Sequence, residues 1–197
     1  MLSESRLVGG ILASLAVATG LLVVAPYFQL HRVRPQKELR PYTAVEQRGR
    51  AVYIREGCLY CHSQQPRDVS QAPDAVRGWG RASVPADYFY DRPHLLGTMR
   101  TGPDLFNIGA RQPSTDWHLG HLYQPRAYAA GSIMPSYPYL FEVKPKAALG
   151  KEDKLVALPP GIAPVDSVVV ARPAALDLVR YLLALNHTYP VDINAQP

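Results

Sequence analysis

Cysteine is nearly absent. The chain holds only Cys58 and Cys61, within one turn of each other, with His62 directly after. A structural zinc site takes four ligands, usually with a second cysteine pair, so here His118 and His121 would have to complete the set. Long runs of like charge are missing too. The formal charge is +5 and the isoelectric point about 9.3, but the bases are scattered through arginine- and proline-rich loops. That distribution argues against a nucleic-acid-binding face. Sustained strand alternation is scarce and no repeat is visible, which leaves a mostly α fold. Proline and glycine, by contrast, number 19 and 14, so tight turns and long proline-rich loops must join the helices.

One apolar run is long. From Leu7 to Leu30, LVGGILASLAVATGLLVVAPYFQL, there is no charged residue. About 20 apolar residues cross a hydrocarbon core of roughly 30 Å. A buried helix of a small soluble domain is rarely apolar on every face over such a length. Pro26 falls near the far end, where a kink or stop is tolerable, and Tyr27 and Phe28 sit where interfacial aromatics sit. The small-x-small pattern Ala16-Val17-Ala18 lies inside the run, not at its end, which predicts a retained anchor over residues 1–31 in place of a cleaved signal peptide. Arg32, Arg34, Lys37 and Arg40 follow the span, whereas only Arg6 and the amino terminus precede it. The charge count alone would put the C-terminal part in the cytoplasm.

A polar linker, residues 32–42, leads to a domain expected over residues 43–190, with 191–197 as a tail. Thr43-Ala44-Val45-Glu46 has the form of a capping box and starts a helix that runs to about Glu56. At the other end, PAALDLVRYLLALNH opens with Pro173 in the first turn and repeats Leu176, Val179, Leu182, Leu183 and Leu185 at helical spacing. Residues 142–172 read as a loop or hairpin insertion. Val156–Leu158 and Val168–Ala171 flank a proline and glycine turn there.

The two cysteines admit three chemistries. A thioredoxin-type pair needs a strand before it in a βαβ unit, and a helix precedes it here. Zinc lacks ligands, as noted. Cys-x-x-Cys-His is the spacing of c-type haem attachment. Two thiols on one short turn match the two vinyl groups on a porphyrin edge, and His62 then falls over the ring face to bind iron. A second axial ligand would come from Met134, Met99, His118 or His121. Met134 is preferred, because Pro135 stiffens the loop that carries it. Met99 reads as packing, and His118 and His121 as a pair sharing one helix face.

Thr101-Gly102-Pro103-Asp104-Leu105 is similar to the Gly-Pro-x-Leu turn of cytochrome c domains. That resemblance implies that the Pro103 carbonyl accepts the N–H of the ligating histidine, a bond that fixes the ring and raises its basicity. Arg111 could pair a haem propionate or be simply solvated.

YIREGCLYCHSQQPRD, GTMRTGPDLFNIGAR, DWHLGHL and SIMPSYPYLF together resemble the mono-haem subunit of cbb-type haem-copper oxidases, the FixO/CcoO type or subunit II. The likeness runs from the anchor to about Phe141 and resumes in LDLVRYLLAL. QQPRDVSQAPDAVRG and residues 142–172 depart from the usual pattern. The resemblance implies one N-terminal transmembrane helix and a class I cytochrome c-like domain holding one covalent haem c. Cys58, Cys61, His62 and Met134 would be the haem positions, and Pro103 the turn. The haem domain would face the periplasm from a bacterial inner membrane, against the charge count. The implied partners are a haem-copper catalytic subunit, a further cytochrome c subunit, a donor cytochrome c and membrane lipid. Two alternatives share these features. One is a free-standing tethered cytochrome, the other a cytochrome subunit of a related reductase such as nitric oxide reductase.

Overall fold

The computed structural model describes residues 3–163 and 165–192, so the expected tail lies outside the described residues from 193 onward. The described chain is mostly helical and divides into two compact units. One comprises the chain through Leu39, Val84–Tyr90 and the segment from Pro190; the other comprises Arg40–Ser83 and Asp91–Tyr189.

The first unit is dominated by one helical rod, α1 (Glu4–Thr19), a π-helical turn (Gly20–Val24) and α2 (Ala25–Leu30). Its 27 residues, Glu4–Leu30, are long and apolar enough to cross a membrane, and none is buried in the protein. The expected kink or stop at Pro26 takes a different form. Pro26 has no N–H, and its ring would collide with the carbonyl one turn earlier. The backbone widens before it, with the Ala25 amide bonding Gly20 O, and the helix then continues to Leu30. The linker, read as polar, buries two residues in this unit. Val33 packs with Ala86, and Gln36 accepts the Asp192 amide at 2.7 Å.

The second unit is built on α3 (Ala44–Arg55) and α6 (Pro173–Ala184), with α4 (Ile108–Arg111) and α5 (Thr115–Tyr123) against them. The capping box forms: the Glu46 amide reaches Thr43 Oγ1 at 3.4 Å, and the Thr43 amide reaches Glu46 Oε2 at 2.7 Å. Arg40 braces the same carboxylate with bonds of 2.7 and 2.6 Å, which depresses the Glu46 pKa to about 2. Helices α3 and α6 meet at Gly49. A Cβ there would lie 2.5 Å from the Asp177 carbonyl carbon and 2.8 Å from Tyr181 Cβ. Around this contact lie the fully buried Tyr53, Leu119, Leu178, Val179 and Tyr181. The face of α6 turned inward carries Ala175, Leu178, Val179, Tyr181 and Leu182. Leu176 and Leu183, expected on the core side, are only partly buried at its margin.

A two-stranded antiparallel sheet brackets residues 142–172 at their two ends. Strand β1 (Phe141–Pro145) pairs with β2 (Ser167–Ala171), with Phe141 opposite Ala171 and Val143 opposite Val169. The sequence points to Val156–Leu158 as the first strand. That stretch instead docks on the far edge of β2 by an isolated bridge, Leu155 to Val170, and a bond from the Val156 amide to Val169 O. The true partner, FEVKP, lacks apolar alternation, because only Phe141 turns inward.

Candidate functional site

Helix α3 ends where Gly57, at φ 73°, adopts the left-handed conformation that side chains resist. The chain then turns through a short 3-10 segment, Cys58–Tyr60. The amides of Cys61 and His62 both bond Cys58 O, at 3.2 and 3.0 Å, so both sulfurs and the imidazole leave one turn. Cys58 is half-buried and Cys61 exposed, and neither is in a disulfide. Burial pushes the Cys58 thiol up to about 12. A neutral thiol in an apolar seat is the opposite of the electropositive setting that activates redox cysteines.

His62 is gripped by the segment around residues 96–105. The Gly102 amide bonds Cys61 O at 2.9 Å, the Leu105 amide bonds Ser63 O at 2.8 Å, and the Gln64 amide bonds Leu96 O at 2.7 Å. His62 Nδ1 lies 2.7 Å from Pro103 O. A carbonyl only accepts, so Nδ1 carries the proton and Nε2 keeps its lone pair. Burial lowers the His62 pKa, which favours that neutral form. The ring sits directly on Gly102, where an added Cβ would come within 2.8 Å of both ring nitrogens.

Behind this turn lies a buried polar network that the sequence alone does not reveal. Asp104 is 0 % exposed. Its Oδ2 accepts from Ser63 Oγ at 2.6 Å and the Gln65 amide at 2.8 Å, and its Oδ1 accepts from the Phe106 amide at 2.8 Å. Arg100 reaches Ser63 Oγ at 3.1 Å, Gln65 O at 2.7 Å and Asp74 Oδ1 at 2.6 Å, with Nη2 4.0 Å from Asp104. The only sequence signal is that Arg100 and Asp104 flank the Gly-Pro turn.

The other candidates fall in distinct settings. Met134 is half-buried and packs against the core that also receives Cys58, Leu59 and Leu105. Its loop is tied to the end of α5 by the Tyr137 amide on Leu122 O at 3.0 Å and Ser136 Oγ on Gln124 at 3.2 Å. It also approaches the cysteine turn. Burial and the nearby charge of Cys58 raise the Tyr137 phenol to about 12, and Tyr139 donates to Glu56 at 2.6 Å. Met99 is exposed. His118 is buried, with Nε2 committed to Gln112 O at 2.8 Å. His121 stacks on Trp117 at 4.6 Å, and its Nδ1 is buried with no partner in the protein. Burial, then the charges of His118 and His62, lower His121 to about 4. Arg111 turns inward to donate to Asp104 O, leaving its buried Nε unpaired.

Among the described residues, no group of three or more His, Cys, Asp and Glu is gathered to hold a metal ion, so zinc finds no ligand set there. The same residues do suit a haem. A turn offers two sulfurs, an imidazole is fixed with a free Nε2, and two buried polar nitrogens close by, in His121 and Arg111, have no protein partner. Fold and turn together define a class: haem-binding subunits of electron transport with one helix able to span a membrane. The family model described as cytochrome C oxidase, mono-heme subunit/FixO matches residues 2–158, and the chain belongs to that family. The match runs through β1 and ends before α6. A search of curated proteins gives no match.

Proposed function

We propose that this chain relays electrons, one at a time, from a donor cytochrome c to the haem-copper catalytic subunit of a cbb-type oxidase, where oxygen is reduced. The haem, when bound, supplies reversible one-electron chemistry, and the protein supplies attachment, orientation and electrostatics. Cys58 and Cys61 would hold it by thioether bonds. His62 Nε2 and the Met134 thioether would be the axial ligands, a pair that favours a higher potential than two imidazoles. Pro103 orients His62, and Arg111 offers its unpaired Nε to a propionate. The chain makes and breaks no substrate bonds of its own, and a further cytochrome c subunit would complete the assembly.

The observation that carries this reading is the 2.7 Å bond from His62 Nδ1 to Pro103 O, which commits one ring nitrogen and frees the other. Residues 1–31 would anchor the subunit in the bacterial inner membrane, in contact with lipid. Residues 32–42 would lead to a haem domain over 43–190, including the 142–172 insertion, on the periplasmic side. The basic flank is a weaker objection than it looks from sequence, because Arg40 is ion-paired to Glu46 at 2.6 Å.

The test is purification from membranes in mild detergent, with intact mass and reduced-minus-oxidised spectra. The expected result is one covalent haem co-eluting with a haem-copper subunit. A mature chain with no added tetrapyrrole mass overturns the proposal. A free monomer with ascorbate-reducible haem shifts it to a tethered shuttle, and co-elution with a different reductase shifts it to that complex.

A further inference from the structure

We infer that Asp104 is a positioning and potential-setting residue for the haem site: a buried carboxylate, ionised in place, that locks the His62 turn and biases the site towards its oxidised state. This rests on the function proposed above and deepens it.

The geometry is that of a carboxylate. Both oxygens accept bonds, and two of the three donors are backbone amides, the Gln65 and Phe106 N–H groups, which cannot accept a proton back; burial raises the Asp104 pKa, and these bonds together with the Arg100 charge oppose that rise. The third donor, Ser63, immediately follows His62. The pair Pro103-Asp104 is therefore bonded on both sides of the site. The Asp104 side chain holds Ser63 and Gln65, while Pro103 O holds His62. The Asp104 carbonyl accepts from Arg111. Ring, turn and arginine thus all register against one dipeptide, Pro103-Asp104.

The charge matters as much as the bonds. Asp104 is shut off from solvent, and it follows directly on Pro103, whose carbonyl lies 2.7 Å from His62 Nδ1. In a low-dielectric interior such a charge is weakly screened. Oxidation adds a positive charge to the site, so an anion there stabilises the oxidised form and lowers the potential. Arg100 works against it. Its guanidinium lies 4.0 Å from the carboxylate and is shared with Asp74. The sequence thus sets an anion and a cation of opposite effect four residues apart, on either side of the Gly-Pro turn.

The opposed signs give the test. Asp104→Asn keeps the shape and removes the charge. Measured on the purified complex by spectroelectrochemical titration, it should shift the reduction equilibrium of this haem at least tenfold towards the reduced form, about 59 mV for one electron. Arg100→Gln should shift it the opposite way, and Arg100→Lys should stay near wild type. A purely structural role predicts loss of haem or a shift of the same sign in both charge-removing variants. An unchanged or lowered potential in Asp104→Asn overturns the inference. If that variant does not retain haem, Arg100→Gln decides, and an unchanged or raised potential there overturns it. Wild-type chain without haem would instead defeat the underlying function, so the two failures are distinct.

Discussion

Gly102→Ala separates the proposed haem ligand, His62, from the fold. Gly102 is not in the left-handed region, so alanine is allowed by its backbone and the effect is purely steric. The new methyl carbon would lie 2.8 Å from both nitrogens of the His62 ring, nearer still to the carbon between them. Carbon contacts are comfortable at about 3.5–4.0 Å, so the ring must withdraw by roughly 1 Å. The bond to Pro103, 2.7 Å long, does not survive a withdrawal of that size away from the turn. Its loss costs about 0.5–1.5 kcal/mol, and a ring that cannot leave costs about 1–3 kcal/mol in overpacking. Because the ring is a half-buried side chain and not backbone, it yields first, and the stability loss stays near the lower figure. The spectrum should change far more. The assay pairs thermal unfolding of the detergent-solubilised complex with absorption spectra and titration with free imidazole. A small fall in melting temperature should accompany a perturbed ferric spectrum and tighter imidazole binding. A variant with the wild-type spectrum, imidazole affinity and potential refutes the placement of His62 on Gly102.

Gly49→Ala tests the helix pair. Alanine gains about 0.8–1.0 kcal/mol in helix propensity, but its Cβ would meet the Asp177 backbone at 2.5 Å, where no side chain can move aside. Overpacking of about 1–3 kcal/mol or more should win, and a melting temperature at or above wild type would contradict it. Glu46 has a depressed pKa, so its contribution is complete above its ordinary value near 4.5 and is lost as pH falls towards about 2. Glu46→Gln should flatten that acid limb in pH-dependent unfolding, and an unaltered limb would remove Glu46 from the account. Met134→Ala should abolish the weak sulfur-to-iron absorption band and leave high-spin or weakly ligated iron. A retained spectrum would move the second ligand to a histidine, with His121 first because of its unpaired Nδ1.

What was legible in the sequence was mostly local. Thr43 and Glu46 announce a helix start because capping is a matter of three residues' spacing, and the cysteine turn with His62 is likewise contiguous. Pro103 was legible through a family likeness. Asp104 was not, because its bonds join residues some 40 positions apart and nothing in its neighbours signals burial. Gly49 and Gly102 look like ordinary glycines until helix and ring are brought against them. On α6 the apolar count favoured leucines, yet Tyr181 claims the core, bonding Gln64 at 3.0 Å and stacking edge-on with Tyr53 and Tyr42. The first strand escaped notice because a two-stranded sheet needs only one inward residue in FEVKP.

The widened turn before Pro26 acts as a phase shifter. A π turn carries one residue more than the α turn it replaces, and one residue corresponds to about 100° of rotation about the axis. Everything from Ala25 onward, including the stacked Tyr27 and His31 rings, therefore points about a quarter-turn away from the azimuth an unbroken helix would give it. Deleting one residue within Gly20–Val24 would restore an ordinary α turn and leave that aromatic collar on its present bearing. The widened turn thus accommodates one more residue ahead of Pro26 without changing the compass heading of the collar.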